Sequence, residues 1–311
     1  MNKVSVIIAC YNEEENILLM YKRLIEVFKN LEYELEIIYV DNASVDDSEK
    51  IYRQLCRQDS RVKVLLMSRN FGSPQPSYLA GLKNCSGDAA VLLAGDMEDP
   101  PEIISLFIDK WRIGYQIVYG IRGGMKQAPL RNILATIFYR LLKKMAYINI
   151  PLNAGDFSLM DRQAINEIIK FDERDFYLRG VRAFVGFKQT GVEFIRDKRQ
   201  AGESNTSFLV ALWWAKTIII NFSFKPLEWV SKLAFVVVVM SSLGVIINLS
   251  LYFIIPGAPR GIPTIVILIL FLGGVQLLGI GIIGEYLAKI FIEIKHRPRY
   301  IIREIIGEKV I

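Results

Sequence analysis

The sequence predicts an α/β domain with a mostly parallel sheet, followed by interfacial helices and a two-helix membrane hairpin. Three observations carry that prediction. Short β-branched runs alternate with helix-period segments, polar clusters stand where those runs end, and two apolar stretches near the C-terminus reach the roughly 20 residues needed to cross a bilayer. Composition agrees: 52% of the 311 residues are hydrophobic and the mean hydropathy is +0.30, high for a chain wholly in water.

The first strand is read from Val4-Ser5-Val6-Ile7-Ile8-Ala9. The run is too brief for the apolar region of a signal peptide, so no export signal is expected. Asn12-Glu13-Glu14-Glu15-Asn16 then opens a helix carrying Ile17, Leu18, Tyr21, Leu24, Ile25 and Phe28 at helical spacing. Leu35 to Val40 is the second strand and ends at Asp41-Asn42-Ala43-Ser44. Alternation continues through Ser48 to Cys56, Val62 to Met67, Ser77 to Leu82 and Ala89 to Leu93, the rhythm of parallel strands joined by crossover helices. In such sheets ligands bind outside the carboxyl ends of the strands.

Leu233 to Ile255 and Thr264 to Ile283 are almost wholly apolar, with a Gly/Pro turn between them. Neither keeps a polar face for solvent, which favours spans over buried core helices. Lys216, Lys225 and Lys232 precede the pair, Lys289, Lys295, Arg297 and Arg299 follow it, and the loop holds only Arg260. Positive residues mark the cytoplasmic side, so both termini and the α/β domain are expected in the cytosol. Phe208 to Phe224, rich in aromatics with interspersed lysine, reads as helices lying in the interface, with a plain core helix as the alternative. The expected organisation is an α/β domain over 1–204, interfacial helices over 205–232, the hairpin over 233–288 and a basic tail over 289–311. Glycines 273, 274, 279, 281 and 284 permit close helix approach and hence self-association.

Several function classes fall away. A single histidine, His296, removes histidine-based triads and His-rich zinc sites, and Cys10, Cys56 and Cys85 form no C-x-x-C pair. Any metal must therefore be held mainly by oxygen. Cys10-Tyr11-Asn12-Glu13-Glu14 replaces the glycines of a dinucleotide fingerprint, and there is no P-loop motif. The 38 Lys+Arg against 32 Asp+Glu thicken beside the apolar segments, which favours lipid and phosphate as partners over nucleic acid.

Four polar clusters fall at strand ends: Tyr11-Asn12-Glu13, Asp41-Asn42, Ser68-Arg69-Asn70 and Asp96-Met97-Glu98-Asp99. If the last is extended, alternate residues project to one side, so Asp96 and Glu98 could share a hard cation while Asp99 turns away. An acidic loop capping the helix that starts at Glu102 explains the same residues equally well. Asp41-Asn42-Ala43-Ser44-Val45-Asp46-Asp47 suits a base edge or ribose and then capping of the next helix; Arg69 and Asn70 could address phosphate or base, though such turn residues are commonly structural. Asp156, between Gly155 and Phe157, is either a partly buried carboxylate that polarises a substrate or a cap for the helix beginning near Arg162. Arg122, Lys126 and Arg131, then Arg196, Lys198 and Arg199, could clamp phosphates.

Together these pieces resemble the family 2 glycosyltransferases with a GT-A fold, in particular the polyprenyl-phosphate glycosyltransferases related to dolichol-phosphate mannose synthase. The motifs run in order over nearly the whole chain: Val6-Ile7-Ile8-Ala9-Cys10-Tyr11-Asn12-Glu13-Glu14, Val40-Asp41-Asn42-Ala43-Ser44, Ser68-Arg69-Asn70-Phe71-Gly72 with Ala80-Gly81-Leu82, and Gly95-Asp96-Met97-Glu98-Asp99-Pro100-Pro101-Glu102. They continue through Gly155-Asp156-Phe157-Ser158-Leu159-Met160-Asp161-Arg162, Gly202-Glu203-Ser204, Gly284-Glu285-Tyr286-Leu287 and Lys295-His296-Arg297-Pro298-Arg299-Tyr300. The hairpin looks like that of the bacterial subgroup that loads a sugar onto undecaprenyl phosphate at the cytoplasmic membrane, for modification of surface polymers.

The resemblance implies inverting transfer from a nucleotide-sugar to a lipid phosphate. It implies Tyr11, Asn12, Glu13, Asp41, Asn42, Arg69 and Asp96 at the donor nucleotide, Mg²⁺ or Mn²⁺ on Asp96 and Glu98, Asp96 and Asp156 in catalysis, and Arg131, Arg196, Arg199 and Ser204 at the lipid phosphate. The chain also departs from the pattern. Ala94 stands where the first acid of Asp-x-Asp is usual, Asn42-Ala43 where Asp-Gly is usual, Glu98 where Gln is usual, and Ser73 and Asn205 where lysines are usual. These departures motivate a competing expectation, a non-catalytic membrane partner of another glycosyltransferase or of a flippase.

Overall fold

The computed structural model describes residues 2–123, 151, 154–174, 176–196, 223–254 and 261–307. The chain divides into two compact units, one comprising 1–143, 148–208 and 297–311, the other 144–147 and 209–296.

The first unit is built on an eight-stranded sheet. In chain order its elements are β1 (Lys3–Cys10), α1 (Glu14–Lys29), β2 (Glu34–Asp41), α2 (Ser48–Gln58), β3 (Val62–Met67), α3 (Pro74–Asn84), β4 (Ala89–Ala94), a 3-10 turn (Pro101–Ile103), α4 (Ile104–Arg112), β5 (Ile117–Gly123), β6 (Ala154–Asp161), α5 (Arg162–Ile168), α6 (Leu178–Phe184) and β7 (Gln189–Ile195). The remaining strand, β8 (Ile302–Ile306), comes from the C-terminal end of the chain. The sheet order is β7-β5-β6-β4-β1-β2-β3-β8. β1 to β4 are mutually parallel, β5 and β7 are parallel to each other, and β6 and β8 run against their neighbours.

The central strands are apolar on both faces because helices cover both. Val4, Val6 and Ile8 of β1 pack with Ile17, Met20 and Leu24 of α1 and Phe107 of α4, while Ile7 of the same strand packs with Tyr78, Leu79 and Leu82 of α3 and Ile165 of α5. All of these are at most 2% exposed. A two-sided parallel strand must read as a continuous hydrophobic run, as these do. α3 lies so close to β1 that a Cβ on Gly81 would overlap the Ile7 side chain, which explains a glycine inside an otherwise ordinary helix.

The α/β expectation holds, with a sheet that is mixed: β1 to β4 are parallel as expected, and β6 and β8 run against their neighbours. The first strands and helices agree with the sequence reading to within a few residues. Differences come later. The stretch expected as a basic tail contains β8, which closes the edge of β3 antiparallel, and the segment around Asp156 is a strand rather than a turn.

The second unit contains two long helices, α7 (Lys225–Ile254, 30 residues) and α8 (Ile262–Ile294, 33 residues). Among the described residues one segment, Lys225–Gly244, is long and apolar enough to cross a membrane; its mean hydropathy is 1.5 and none of it is buried. Phe235, Val236, Val238 and Met240 are all exposed. Ser231, Ser242 and Ser250 donate their hydroxyls to carbonyls four residues back, so the helix satisfies these groups within itself. Tyr286 of α8 donates to the Ser223 carbonyl at 2.7 Å. The expected interfacial segment 208–224 and the loop bearing Arg260 lie almost wholly outside the described residues.

Candidate active site at the strand ends

β1 is followed along the sheet by β2 and β3 on one side and by β4 on the other, so the strand order reverses between β1 and β4. Crossover connections diverge at such a point and leave a crevice beyond the strand ends. Ala9 pairs with Ala94 and Cys10 with Asp41, which puts Tyr11-Asn12-Glu13, Asp41-Asn42 and Gly95-Asp96 at one rim. Backbone bonds from Gly95 N to Ala9 O and from Asn42 N to Cys10 O, both 2.9 Å, stitch these ends together. A Cβ on Gly95 would approach the Cys10 sulfur to 2.7 Å, so the chain must pass here without a side chain.

The expected nucleotide side forms one hydrogen-bonded cradle. Asn12, in the left-handed region at φ 54°, donates its N–H to Ser44 Oγ at 2.8 Å, and its Oδ1 accepts from Val45 N at 2.9 Å. Asp41, 4% exposed, accepts from Ser44 N at 3.0 Å and from Ser44 Oγ at 2.5 Å. Burial raises the Asp41 carboxyl above its ordinary value, with the two Ser44 bonds opposing. Asn42 donates to Asn70 Oδ1 at 3.2 Å and accepts from Phe71 N at 3.0 Å, tying the ends of β2 and β3. Arg69 is exposed and stacks over Phe71 at 4.2 Å, and Tyr11 is 44% exposed. Within the run 41–47, Asp46 accepts from Ser48 N, at the start of α2, and from Glu14 N, both at 3.1 Å, while Asp41 serves Ser44.

The acidic cluster after β4 differs from the expectation. Met97 sits at φ 60° with its side chain fully buried, so Asp96 and Glu98 are not alternate residues of an extended strand. Glu98 is ion-paired with Arg196. Asp99 does turn away from Asp96, into the protein, where it is 3% exposed and meets Arg196 Nε at 3.1 Å and Arg122 at 3.7 Å. Glu102, expected to start a helix, lies in the 3-10 turn and is held by both Arg23 nitrogens at 2.8 and 2.6 Å. Asp96 alone of the three has no ion-pair partner among the described residues, and its Oδ1 accepts from Glu98 N at 3.2 Å. No group of three or more His, Cys, Asp or Glu able to hold a metal occurs among the described residues. The residues fit a cation that takes one carboxylate from the protein and the rest of its oxygens from a bound diphosphate and water, the habit of Mg²⁺.

Asp156 lies in β6, and the alternative assigned to it falls to another residue. Asp161 caps α5, accepting from Ala164 N at 2.9 Å. β6 runs antiparallel to β4 with Leu92 opposite Ser158; two residues further along that register Asp156 comes level with Ala94, beside Asp96. Its carboxylate is 17% exposed and is held side-on by Arg179, Nε to Oδ1 at 2.8 Å and NH2 to Oδ2 at 3.4 Å. Gln75 at the start of α3 donates to it at 3.3 Å and accepts from Leu178 N, the first residue of α6, at 2.9 Å. Burial would raise this carboxyl, but Arg179, Arg182 and Arg122 outweigh it and hold it below the usual range. It is an anion at neutral pH.

Gln75, Arg179 and Arg182 are site residues the sequence reading missed. Two arginines three apart in the short apolar helix Leu178–Phe184 were the available signal. Of the residues expected at a lipid phosphate, Arg196 is engaged by Glu98 and Asp99, and Arg131, Arg199 and Ser204 lie outside the described residues, as do Lys126 and Lys198.

Carboxylates and arginines thus gather at the switch point of a crossover α/β sheet, the place where such folds bind ligands. The chain belongs to glycosyl transferase family 2, whose sequence model matches residues 5–169. It is 37% identical to the uncharacterized glycosyltransferase YkcC of Bacillus subtilis, over 97% of this chain and 94% of that one. It is also 37% identical to the bactoprenol glucosyl transferase of Shigella phage SfV, over 97% and 98%. The prophage bactoprenol glucosyl transferase homolog of Escherichia coli is 36% identical over 97% and 99%.

Proposed function

We propose that this glycosyltransferase moves a monosaccharide, with inversion, from a nucleotide-sugar to a polyprenyl phosphate such as undecaprenyl phosphate. The observation that carries the reading is the convergence of Asp96 and Asp156 on one crevice in a chain whose full-length relatives are named bactoprenol glucosyl transferase. The nucleotide is bound by the cradle of Tyr11, Asn12, Glu13, Asp41, Asn42 and Arg69. Asp96 holds a divalent cation, Mg²⁺ or Mn²⁺, and Glu98 joins it only by releasing Arg196. Such a cation supplies Lewis-acid neutralisation of the departing diphosphate. The acceptor phosphate is already anionic, so the protein's task is alignment for in-line attack at the anomeric carbon. Asp156, an oriented anion, polarises and positions rather than taking a proton. Arg131, Arg196, Arg199 and Ser204 are assigned to the lipid phosphate.

The setting is the cytoplasmic membrane of a bacterium. The apolar, unburied helix Lys225–Gly244 and the apolar length of α8 support two spans, with both termini and the catalytic unit in the cytosol. Supporting that orientation, lysines and arginines flank the pair and only Arg260 lies between them.

The test is transfer by the purified full-length protein in detergent, with undecaprenyl phosphate, a panel of radiolabelled nucleotide-sugars and Mg²⁺ or Mn²⁺. A labelled lipid that disappears with EDTA is expected. Asp156→Asn should lower kcat by roughly a hundredfold or more, with the donor KM little changed, as for loss of a group that acts in the transition state. Binding of nucleotide or lipid with no product from any donor would overturn the reading in favour of a non-catalytic partner, and Ala94→Asp and Asn42→Asp would then be the reversions to make.

A further inference from the structure

Arg182 is the largest side chain with no solvent exposure in the structure. A guanidinium out of water costs several kcal/mol unless it is paired, and Arg182 forms no ion pair among the described residues. Its only hydrogen bond among the described residues runs from NH2 to the Gly155 carbonyl at 3.2 Å, and its Nε and NH1 have no partner there. Its charge lies over the Tyr119 ring, 5.0 Å from the centroid. Burial pulls its pKa down to about 10, so it stays cationic at neutral pH. A lone apolar residue would fill this space at less cost. Among the described residues, the carboxylate that feels this charge is the one on the residue after Gly155.

We propose that Arg182 is a positioning residue for transfer: by gripping the Gly155 carbonyl and setting a desolvated positive charge behind β6, it holds Asp156 as an oriented anion. This rests on the assignment of Asp156 to the reaction. Arg179 binds the same carboxylate from the same helix, but it is 25% exposed and its charge is partly screened by water. Arg182 is dry, so its field on Asp156 is screened far less. Arg179 supplies the hydrogen bonds and the larger share of the charge, and Arg182 adds a second charge from a site that water does not reach. The other groups that act on Asp156 are Arg122 from β5 and Gln75 from α3, and Tyr78 of α3 feels the charges of Asp156, Asp99 and Asp96 together. Burial opposes its ionisation, and that cost is what a second buried arginine helps to offset.

The experiment compares Arg182→Met, Arg182→Lys and Asp156→Asn in the full-length protein in detergent. Two readouts are taken: transfer rate against pH, and the infrared C=O stretch of a protonated carboxyl, assigned to Asp156 by its absence in Asp156→Asn. Arg182→Met should lower kcat by roughly ten- to a hundredfold with the donor KM within about threefold. It should move the acid limb of the rate profile, and the onset of the Asp156 carboxyl band, to higher pH, because removing a nearby cation weakens the anionic form. Arg182→Lys should restore both. A limb and band left where the wild type has them would overturn the proposal and leave Arg182 as packing. Should Arg182→Met fail to fold, Arg182→Gln replaces it, keeping a donor for the Gly155 carbonyl without the charge. A wild-type rate in Asp156→Asn would instead overturn the role of Asp156 in transfer, and the infrared titration would still decide whether Arg182 holds it ionised.

Discussion

The Arg196 guanidinium is ion-paired with the Glu98 carboxylate, which stands two residues after Asp96, an acid with no ion-pair partner among the described residues. Arg196 also bonds buried Asp99 at 3.1 Å, so the pairing is anchored on both sides. A carboxylate already neutralised by an arginine is a poor ligand for a hard cation. Asp96→Asn should therefore weaken Mn²⁺ binding, followed by electron paramagnetic resonance with donor diphosphate present, by roughly a hundredfold, and Glu98→Gln by less than about tenfold. Equal losses in the two variants would mean that Arg196 gives way when the donor binds.

Ala43 sits at φ 60°, in the left-handed region, between Asn42 and Ser44 of the hydrogen-bonded cradle. An L-residue with a Cβ pays about 1–2 kcal/mol there, and glycine does not, although glycine loses more chain entropy on folding. Ala43→Gly should raise stability by a net of about 0.5–1 kcal/mol, or a Tm gain of roughly 1–4 °C. Donor KM should hold, since the turn is already in the required shape. A fall in Tm would show that the surrounding hydrogen bonds from Asp41 and Asn12 depend on the methyl group.

Which parts of this molecule could be read from its residues follows from where their constraints lie. β1 to β4 were legible because strands buried on both faces need unbroken apolar runs, and Ala89 to Ala94 or Val62 to Met67 fit little else. β6 was not, because Gly155 and Asp156 carry the signature of a turn while their strand is imposed by β4 and β5 on either side. β8 hid in a charged segment, its five residues being too few to show alternation. The strand-end clusters came through as candidates, since that placement is a property of the topology. Their internal chemistry did not: Glu98 meets a residue 98 positions later, Asp156 meets Arg179 across a helix packed on the sheet, and a left-handed methionine between Asp96 and Glu98 is a local exception to side-chain preference.

Asp41 is the cradle residue that works against the fold. Burial raises its carboxyl despite the two bonds from Ser44, and a folded-state value above the unfolded one favours folding only while the group is protonated. That contribution is complete below the unfolded value and is lost as pH rises through the folded one. Asp41→Asn removes the ionisation while keeping an oxygen for Ser44. The wild type's Tm should therefore fall relative to that of Asp41→Asn as pH is raised from acid to neutral, measured by calorimetry across the interval. Donor KM should rise about tenfold in the same variant, the loss of one charge-assisted hydrogen bond to the nucleotide. A pH-independent Tm difference would place Asp41 in water.

β8 couples the C-terminal end of the chain to the rim of the crevice that bears Arg69 and Asn70. Ile302 to Ile306 pair with Val64 to Met67, and the ladder is extended by a bond from Ser68 N to Ile301 O at 2.9 Å, one residue before Arg69. Side-chain pairs add to it: Arg53 with Glu304 at 2.5 Å, and Arg303 with Glu49 at 2.5 Å. Both pairs are solvent-exposed, so either alone is worth within about 1 kcal/mol, and Glu304→Ala should change Tm little. Ending the chain after Tyr300 is different in kind, because it strips the backbone partners of β3 and leaves an open edge that invites pairing with other chains. That truncation should lower Tm by more than about 4 °C, the equivalent of upward of 1 kcal/mol in a unit of this size, and promote aggregation on gel filtration. Donor KM should rise with it, because the loop bearing Arg69 and Asn70 loses the bond that fixes its first residue. A truncated protein with normal Tm and a normal donor KM would mean that β3 holds the Arg69 loop unaided.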